Sequence, residues 1–265
     1  MRIIVPIKQV PETKSVKMDE KTGTVIREGV ESIINPLDLY AIEIAVQLKE
    51  TNGGEVIALS MGPPKAIEAL KEAIAMGVDS AVLVSDRAFA GSDTWATSYV
   101  LAEAIRKIGE YDIIICGERA TDGDTGQVGP EIASYLKLPV LSYVNKVCGT
   151  ANDAISVHRL VEEGSEKLES EMPCLLTVVK EVSDPRLPTL RGKQKARKAV
   201  IPVFGLKELE LDPKKVGLAG SPTKVVKIFK PKVARACEKL IAKDEEKIRE
   251  AVGKLEIFLR KKEVL

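Results

Sequence analysis

The run Gly117-Glu-Arg-Ala-Thr-Asp-Gly-Asp-Thr-Gly-Gln-Val-Gly-Pro130 is where this sequence could do chemistry. A strand candidate that is apolar after its first residue, Asp112-Ile-Ile-Ile-Cys116, precedes it, and the spacing predicts a helix over 127–136. A strand, a glycine-rich turn and a helix start together aim backbone N–H groups at a phosphate. Gly123, Gly126 and Gly129 let the main chain approach a ligand closely and adopt positive φ. Thr121 and Thr125 add hydroxyls, and Gln127 an amide. Asp122 and Asp124 would repel an anion if they faced it. Bonding ribose hydroxyls, capping the helix or orienting the loop suits them better. The same residues also suit a plain turn with Asp124 or Thr125 as N-cap, and spacing alone leaves the two readings level. Neither G-x-G-x-x-G nor G-x-x-x-x-G-K-[ST] is matched.

Other chemistry is thinly supplied. His158 is the single histidine, and the cysteines at 116, 148, 174 and 237 form no C-x-x-C pair. A metal or disulfide framework is therefore not expected, and a reducing cytoplasm fits. No nucleophile–base pair or carboxylate dyad stands out, which leaves hydrolysis without support. Redox chemistry would have to come from a bound cofactor.

The elements that must position this loop alternate between strand and helix candidates. Strands are expected over 2–7, 55–60, 80–85 and 112–116. Helices are expected after Asn35 (an N-cap candidate, with Pro36 at N1 and Asp38 in the first turn), over 64–75, and over 93–108 behind Asp93. Four β-α steps within about 135 residues imply an α/β fold, a doubly wound, mainly parallel sheet. Ligands bind such sheets at the carboxyl ends of the strands. Four loops meet there: Pro6–Pro11, Ser60–Pro64, Ser85–Thr94 and Gly117–Gly129. Candidate contacts are Pro6, Ile7 and Lys8, then Met61 and Gly62, then Gly91, Asp93 and Thr94. Cys116, Gly117, Thr121–Gly129 (Val128 included), and Asn35 and Asp38 at the first helix start, complete the set. Asn35 caps its helix in the plain reading and could also face the pocket. Strands over 140–147, 154–161 and 174–180 should extend the sheet, with a turn at 162–165. A basic, Pro-bearing loop over 184–200 leads into a helix. Gly217–Thr223 reads as a linker, and Ile248, Ala251, Val252, Leu255 and Leu259 mark one face of a terminal helix. The expected division is a nucleotide-binding domain, 1–216, and a linker with a C-terminal arm, 217–265.

Bulk composition narrows the classes further. The chain has 265 residues, 45% hydrophobic and 4% aromatic, as an Ala/Val/Ile/Leu-rich α/β core would. No apolar run is long enough for a membrane span, and Met1-Arg-Ile-Ile-Val-Pro6 reads as a strand rather than a signal peptide. The net charge of +1 hides a split. Residues 1–183 carry 18 Lys/Arg against 28 Asp/Glu, whereas 184–265 carry 22 against 11. Nucleic acid is the usual partner of so basic a stretch, but no aromatics interleave with it for base stacking. Steering of an acidic protein partner is preferred, and Lys/Glu richness also suits a thermophile's surface.

The run Ala120–Pro130 resembles the nucleotide loop of the small (beta) subunit of electron transfer flavoprotein. Val5-Pro-Ile-Lys-Gln-Val-Pro11 is similar to that family's opening strand and turn, and Asn35-Pro-Leu-Asp38 with Ala41-Ile-Glu43 to its first helix start. Val157-His-Arg159, Glu162-Glu-Gly164, Glu166, Leu168, Pro173 and Leu175-Leu-Thr177 fit the family signature. The resemblance runs in order over about residues 1–230. It implies a sheet of the adenine-nucleotide-binding type and a heterodimer with the large (alpha) subunit, on which the C-terminal arm would pack. Ordinary members hold AMP as a structural ligand. A second group holds FAD there, takes a hydride from NADH and splits the electron pair between two acceptors. This sequence resembles the second group at Asp122–Thr125, at Gln127–Pro130, at Phe89-Ala-Gly-Ser-Asp-Thr94 (beside the flavin ring) and at Val10-Pro-Glu-Thr13, with Glu12 where Asp is more usual. The implied partners are ferredoxin or flavodoxin and an acyl-CoA dehydrogenase-type or quinone oxidoreductase acceptor. Trp95 suits packing beside the site better than stacking on a flavin. Asp184-Pro-Arg-Leu-Pro-Thr-Leu190 resembles the docking loop for acyl-CoA dehydrogenases, with Leu190 as anchor and Arg191 beside it. An ordinary surface leucine is the plain reading. A universal-stress-type adenine-nucleotide-binding module shares the sheet, but it needs neither the basic loop nor the terminal helix.

Overall fold

The computed structural model describes residues 1–12, 17–18, 25–26, 32–226 and 239–264. Thr13 and Cys237 lie outside the described residues. Two compact units result, Met1–Ile228 and Phe229–Leu265.

The first unit is built on a nine-stranded sheet. Its strands are β1 (Arg2–Pro6), β6 (Glu55–Met61), β7 (Ser80–Val84), β8 (Ile113–Gly117), β9 (Val140–Ala151), β10 (Ala154–Val161), β11 (Gly164–Glu171), β12 (Cys174–Val178) and β13 (Val203–Phe204). Short strands β2 (Gln9–Pro11) and β5 (Ser32–Ile34) pair with each other, as do β3 (Lys17–Met18) and β4 (Val25–Ile26). The sheet order is β11-β10-β9-β12-β8-β1-β6-β7-β13. From β9 to β13 every pairing is parallel, and β10 and β11 add an antiparallel edge. Central strands are apolar where both of their faces are buried, as in Ile3-Ile-Val-Pro6 of β1.

Helices α1 (Pro36–Asn52), α2 (Ile67–Met76), α3 (Thr94–Ile108), α4 (Val128–Leu136) and α5 (Leu190–Lys198) cover the two faces, followed by the one-turn α6 (Gly217–Gly220). One core gathers Ile3, Val5, Ala58, Ile113 and Leu176 under α1 and α2. The other gathers Ile4, Leu59, Val82, Ile114 and Leu175 under α3 and α4. Period-two alternation within each strand thus feeds two layers of helices, the doubly wound arrangement.

Three details depart from the sequence reading. The chain turns at Glu162-Glu163, and Gly164 and Ser165, expected in the turn, already belong to β11. Its sequence, Gly-Ser-Glu-Lys-Leu-Glu-Ser-Glu, is mostly exposed, so it carries no apolar alternation to betray it. Asn35 stands at the N-cap position of α1, but its side chain makes no cap bond. Gly217–Thr223 is not a free linker. Gly217 N donates to Ser92 Oγ (3.1 Å), and Thr223 N and Oγ1 donate to Asp93 Oδ2 (2.9 and 2.8 Å).

The second unit contains α7 (Glu245–Lys261). It is capped by Asp244, whose carboxylate accepts from Lys247 N, and none of its residues is buried.

Candidate functional site

The chain runs outward from β1 in opposite directions, to β6 and β7 on one side and to β8 and β12 on the other. The loops after β1 and β8 therefore part at a topological switch point and leave a crevice at the strands' carboxyl ends. A cavity of about 950 Å³ fills that crevice. All four loops expected from the sequence contribute to its wall. Pro6, Ile7, Lys8, Asp38, Met61, Gly62, Gly91, Asp93, Thr94, Cys116, Gly117, Gly123, Thr125, Gly126, Gln127, Val128 and Gly129 line it.

Asn35, Thr121, Asp122 and Asp124 do not line the cavity. They build its frame. Asn35 is fully buried, and its Nδ2 donates to Asp38 Oδ1 and to the Arg119 carbonyl, both at 2.9 Å. Its Oδ1 accepts from Thr121 N at 3.1 Å. Lys8 N donates to Asp38 Oδ2 at 2.7 Å, and Lys8 Nζ pairs with Asp122 Oδ1 at 2.7 Å. A closed ring of bonds thus ties the β1 loop to the β8 loop through the start of α1. Asp124 adopts a φ of 55° and pairs with Arg119 Nε at 2.9 Å. Both loop carboxylates therefore have cationic partners, which answers the repulsion they would otherwise exert on an anion.

Burial pushes the Asp38 carboxyl up to about 7, although Lys8 N, Asn35, the Lys8 charge and Gly117 all oppose the shift. The buried Cys116 thiol is pushed well above the ordinary range, first by burial and then by Asp38, so it is no nucleophile at neutral pH. Close packing explains two glycines here. A Cβ on Gly117 would stand 2.5 Å from Asp38 Oδ1, and one on Gly129 2.9 Å from Thr177 Cγ2.

Neither Asp124 nor Thr125 caps α4. The N-cap position belongs to Gln127, which makes no side-chain cap bond. The first-turn N–H groups of α4 stand at the cavity wall, where Gln127, Val128 and Gly129 lie. Opposite, α3 starts at Asp93, whose Oδ1 accepts from Ala96 N at 3.1 Å. Burial disfavours the charged form of Asp93, but bonds from Ala96, Thr223 and Ser221 outweigh it and hold the carboxyl below its ordinary value. Thr94 Oγ1 lies 3.2 Å from both Gln127 Oε1 and Glu131 Oε1, joining the two helix starts. Trp95 is half exposed, packs on Tyr135 with ring centroids 5.0 Å apart, and does not line the cavity.

The sequence reading did not single out Arg87 and Arg119, which with Lys8 are the cations lining the cavity among the described residues. Nothing in their spacing marks them; their position inside two of the four loops was the available signal. The α3 residues Thr97 and Leu101 were missed because a helix flank carries no loop signature. Leu190 and Arg191 lie apart from the cavity, on the first turn of α5, where Leu190 is 83% exposed.

Residues 22–209 match the electron transfer flavoprotein domain. The chain belongs to the electron transfer flavoprotein family. It is 46% identical, over the whole length of both chains, to the caffeyl-CoA reductase-Etf complex subunit CarD of Acetobacterium woodii. It is 47% identical to an electron transfer flavoprotein subunit beta of Thermoanaerobacterium thermosaccharolyticum, covering 96% of this chain and 98% of that one. Protein FixA of Azorhizobium caulinodans is 44% identical over 87% of this chain and 85% of its own. No helix among the described residues of this electron transfer flavoprotein chain is long and apolar enough to cross a membrane.

Proposed function

We propose that this chain is the beta subunit of a heterodimeric electron transfer flavoprotein and holds FAD in the switch-point cavity. The observation that carries the reading is the uncapped start of α4 at the wall of a cavity of about 950 Å³. Small-molecule sites span about 300–1,000 Å³, so this one is sized for a dinucleotide. AMP, the ligand of ordinary members, would leave much of it open. Backbone N–H groups at Gly126–Gly129 suit a diphosphate, and Arg87 on the cavity wall offsets part of its charge, Lys8 and Arg119 being paired with Asp122 and Asp124. Phe89, Val84 and Leu101 supply an apolar wall that excludes water. Bound FAD would supply the redox chemistry, taking a hydride from NADH and passing electrons on. Likeness to the FAD-holding group at Phe89–Thr94 and Asp122–Pro130 supports NADH as donor.

Electrons would leave towards ferredoxin or flavodoxin and, through the large subunit's FAD, towards an acyl-CoA dehydrogenase-type or quinone-linked acceptor. The likeness to CarD, a subunit of a caffeyl-CoA reductase-Etf complex, supports an acyl-CoA-linked acceptor. Leu190 is read as the docking anchor, and the second unit, Phe229–Leu265, as supplying the arm that packs on the large subunit.

Gly123→Val tests the cofactor site. Gly123 lines the cavity, and a Cβ there meets no atom within 4 Å. The variant should fold normally and lose flavin, because the side chain takes up ligand space. Undiminished flavin in a folded variant would mean that this loop does not hold the cofactor. Gly126, at a φ of 64°, is a poorer choice because any side chain there adds backbone strain.

A further inference from the structure

Segment 183–198 is fastened at both ends and bare between. At its start, Gln47 Nε2 donates to Ser183 Oγ at 2.8 Å. Arg186 then grips α1 with two forks. Its Nε and Nη2 donate to Glu43 Oε2 and Oε1 at 2.8 and 3.0 Å. Its Nη1 and Nη2 donate to Glu50 Oε1 and Oε2 at 2.6 and 2.9 Å. The Arg186 backbone N adds a bond to Glu43 Oε2 at 2.9 Å. Glu43 is only 3% exposed, so the chain keeps a buried carboxylate beneath a surface loop. Burial alone would raise its pKa; the Arg186 bonds outweigh that and lower it, and they lower that of Glu50 as well.

The far end rests on α2. Thr189 N donates to the Ala75 carbonyl at 3.3 Å, and Lys195 Nζ donates to the Val78 carbonyl at 3.0 Å. Gly192 sits so close to α2 that a Cβ would lie 2.1 Å from the Ala75 carbonyl oxygen. Leu187, between these fastenings, is 84% exposed, and Leu190, on the first turn of α5 just beyond Thr189, is 83% exposed. A loose loop bearing two leucines would have to be ordered at the moment of binding, and that ordering is lost from the affinity. A planar guanidinium forked onto two carboxylates gives a geometry that an ammonium cannot.

We propose that Arg186 is a positioning residue for acceptor docking: its paired forks on Glu43 and Glu50 set segment 186–190 in the docking conformation before the partner arrives. The inference rests on the reading of Leu190 as the docking anchor. The partner it fits is a protein with an apolar socket rimmed by acidic groups, facing Arg191, Lys193, Arg197 and Lys198.

The test uses the complete heterodimer and titrates a dehydrogenase-type acceptor in steady state. Arg186→Lys keeps the charge and loses the fork. Glu50→Gln weakens one fork at an exposed carboxylate, so it reports even if the first variant folds poorly. Acceptor KM should rise roughly tenfold in Arg186→Lys and about threefold in Glu50→Gln. The kcat at saturating acceptor and flavin reduction by NADH should be unchanged, because the loop lies apart from the cavity. Leu190→Ala should raise KM less in the Arg186→Lys background than alone, since a displaced anchor has less to lose. If Leu190→Ala raises KM while Arg186→Lys and Glu50→Gln do not, or if the double variant is simply additive, the positioning role is overturned and the docking reading stands. If Leu190→Ala itself leaves KM unchanged, the docking reading falls and takes this inference with it.

Discussion

At the scale of single residues, Asp38 carries the most consequence. It is 6% exposed, accepts from Lys8 N and Asn35 Nδ2, and holds a proton up to about pH 7. In the unfolded chain the same carboxyl titrates near an ordinary aspartate value of about 3.9. Between those values the folded state binds more protons than the unfolded one, so the contribution of Asp38 to stability falls as pH rises through this window and levels off above about 7. The slope it adds is at most about 1.4 kcal/mol per pH unit. Asp38→Asn removes the titration, so thermal melts of the nucleotide-free chain should lose stability from pH 5 to 7 more steeply in wild type than in the variant. Parallel pH profiles would show that Asp38 is ionised throughout. Asp38 was legible in the sequence as a first-turn acid of α1 and a candidate contact, and it lines the cavity. The ring joining it to Asn35, Lys8 and Asp122 was not, because its partners are 3, 30 and up to 114 positions apart and only the parallel sheet brings them together. The same ring explains why Asn35, which has a capping residue's identity and position, caps nothing: its amide is fully engaged elsewhere.

At the scale of elements, the alternation of apolar strands with helices of apolar periodicity made the sheet and its four loops legible, since each signal is local. Asp93 illustrates this. It was expected as an N-cap and is one, accepting from Ala96 N. What the sequence did not display is its other carboxylate oxygen, which holds Thr223 and so fastens 217–223 beside the cavity. Asp93→Ala should cost about 1–2 kcal/mol from the cap alone, measured by denaturant unfolding at neutral pH. The Asp93 carboxyl titrates below its ordinary value, so this contribution is present above the usual aspartate range and is lost as pH falls through the folded pKa. A wild-type–variant difference that stayed constant down to strongly acid pH would contradict the assignment. Strand β11 was illegible for the opposite reason. Its backbone pairing with β10 needs no apolar face, so a polar octet hides a full strand. Distant edge pairings and helix flanks leave no periodic trace, whereas buried central strands do.

At the scale of the whole molecule, an acidic body and a basic final third suit a chain that is steered by charge and completed by another protein. On the apolar face of α7, Ile248, Val252 and Leu255 are at least 50% exposed and Ala251 and Leu259 are half-buried, so most of that face is left for a partner. Deleting residues 240–265 should weaken pairing with the large subunit and leave the melting temperature of the α/β unit unchanged. Size-exclusion chromatography of the mixed subunits would read the first and calorimetry the second, and undiminished pairing would remove the arm from the interface. The central claim is that the switch-point cavity holds a flavin dinucleotide. It is tested most directly by releasing and counting the nucleotides of the purified heterodimer. Two FAD and no AMP per heterodimer are expected, the second FAD disappearing in the Gly123→Val variant. One FAD together with one AMP would contradict the account and leave this chain a structural partner to the flavin of the large subunit.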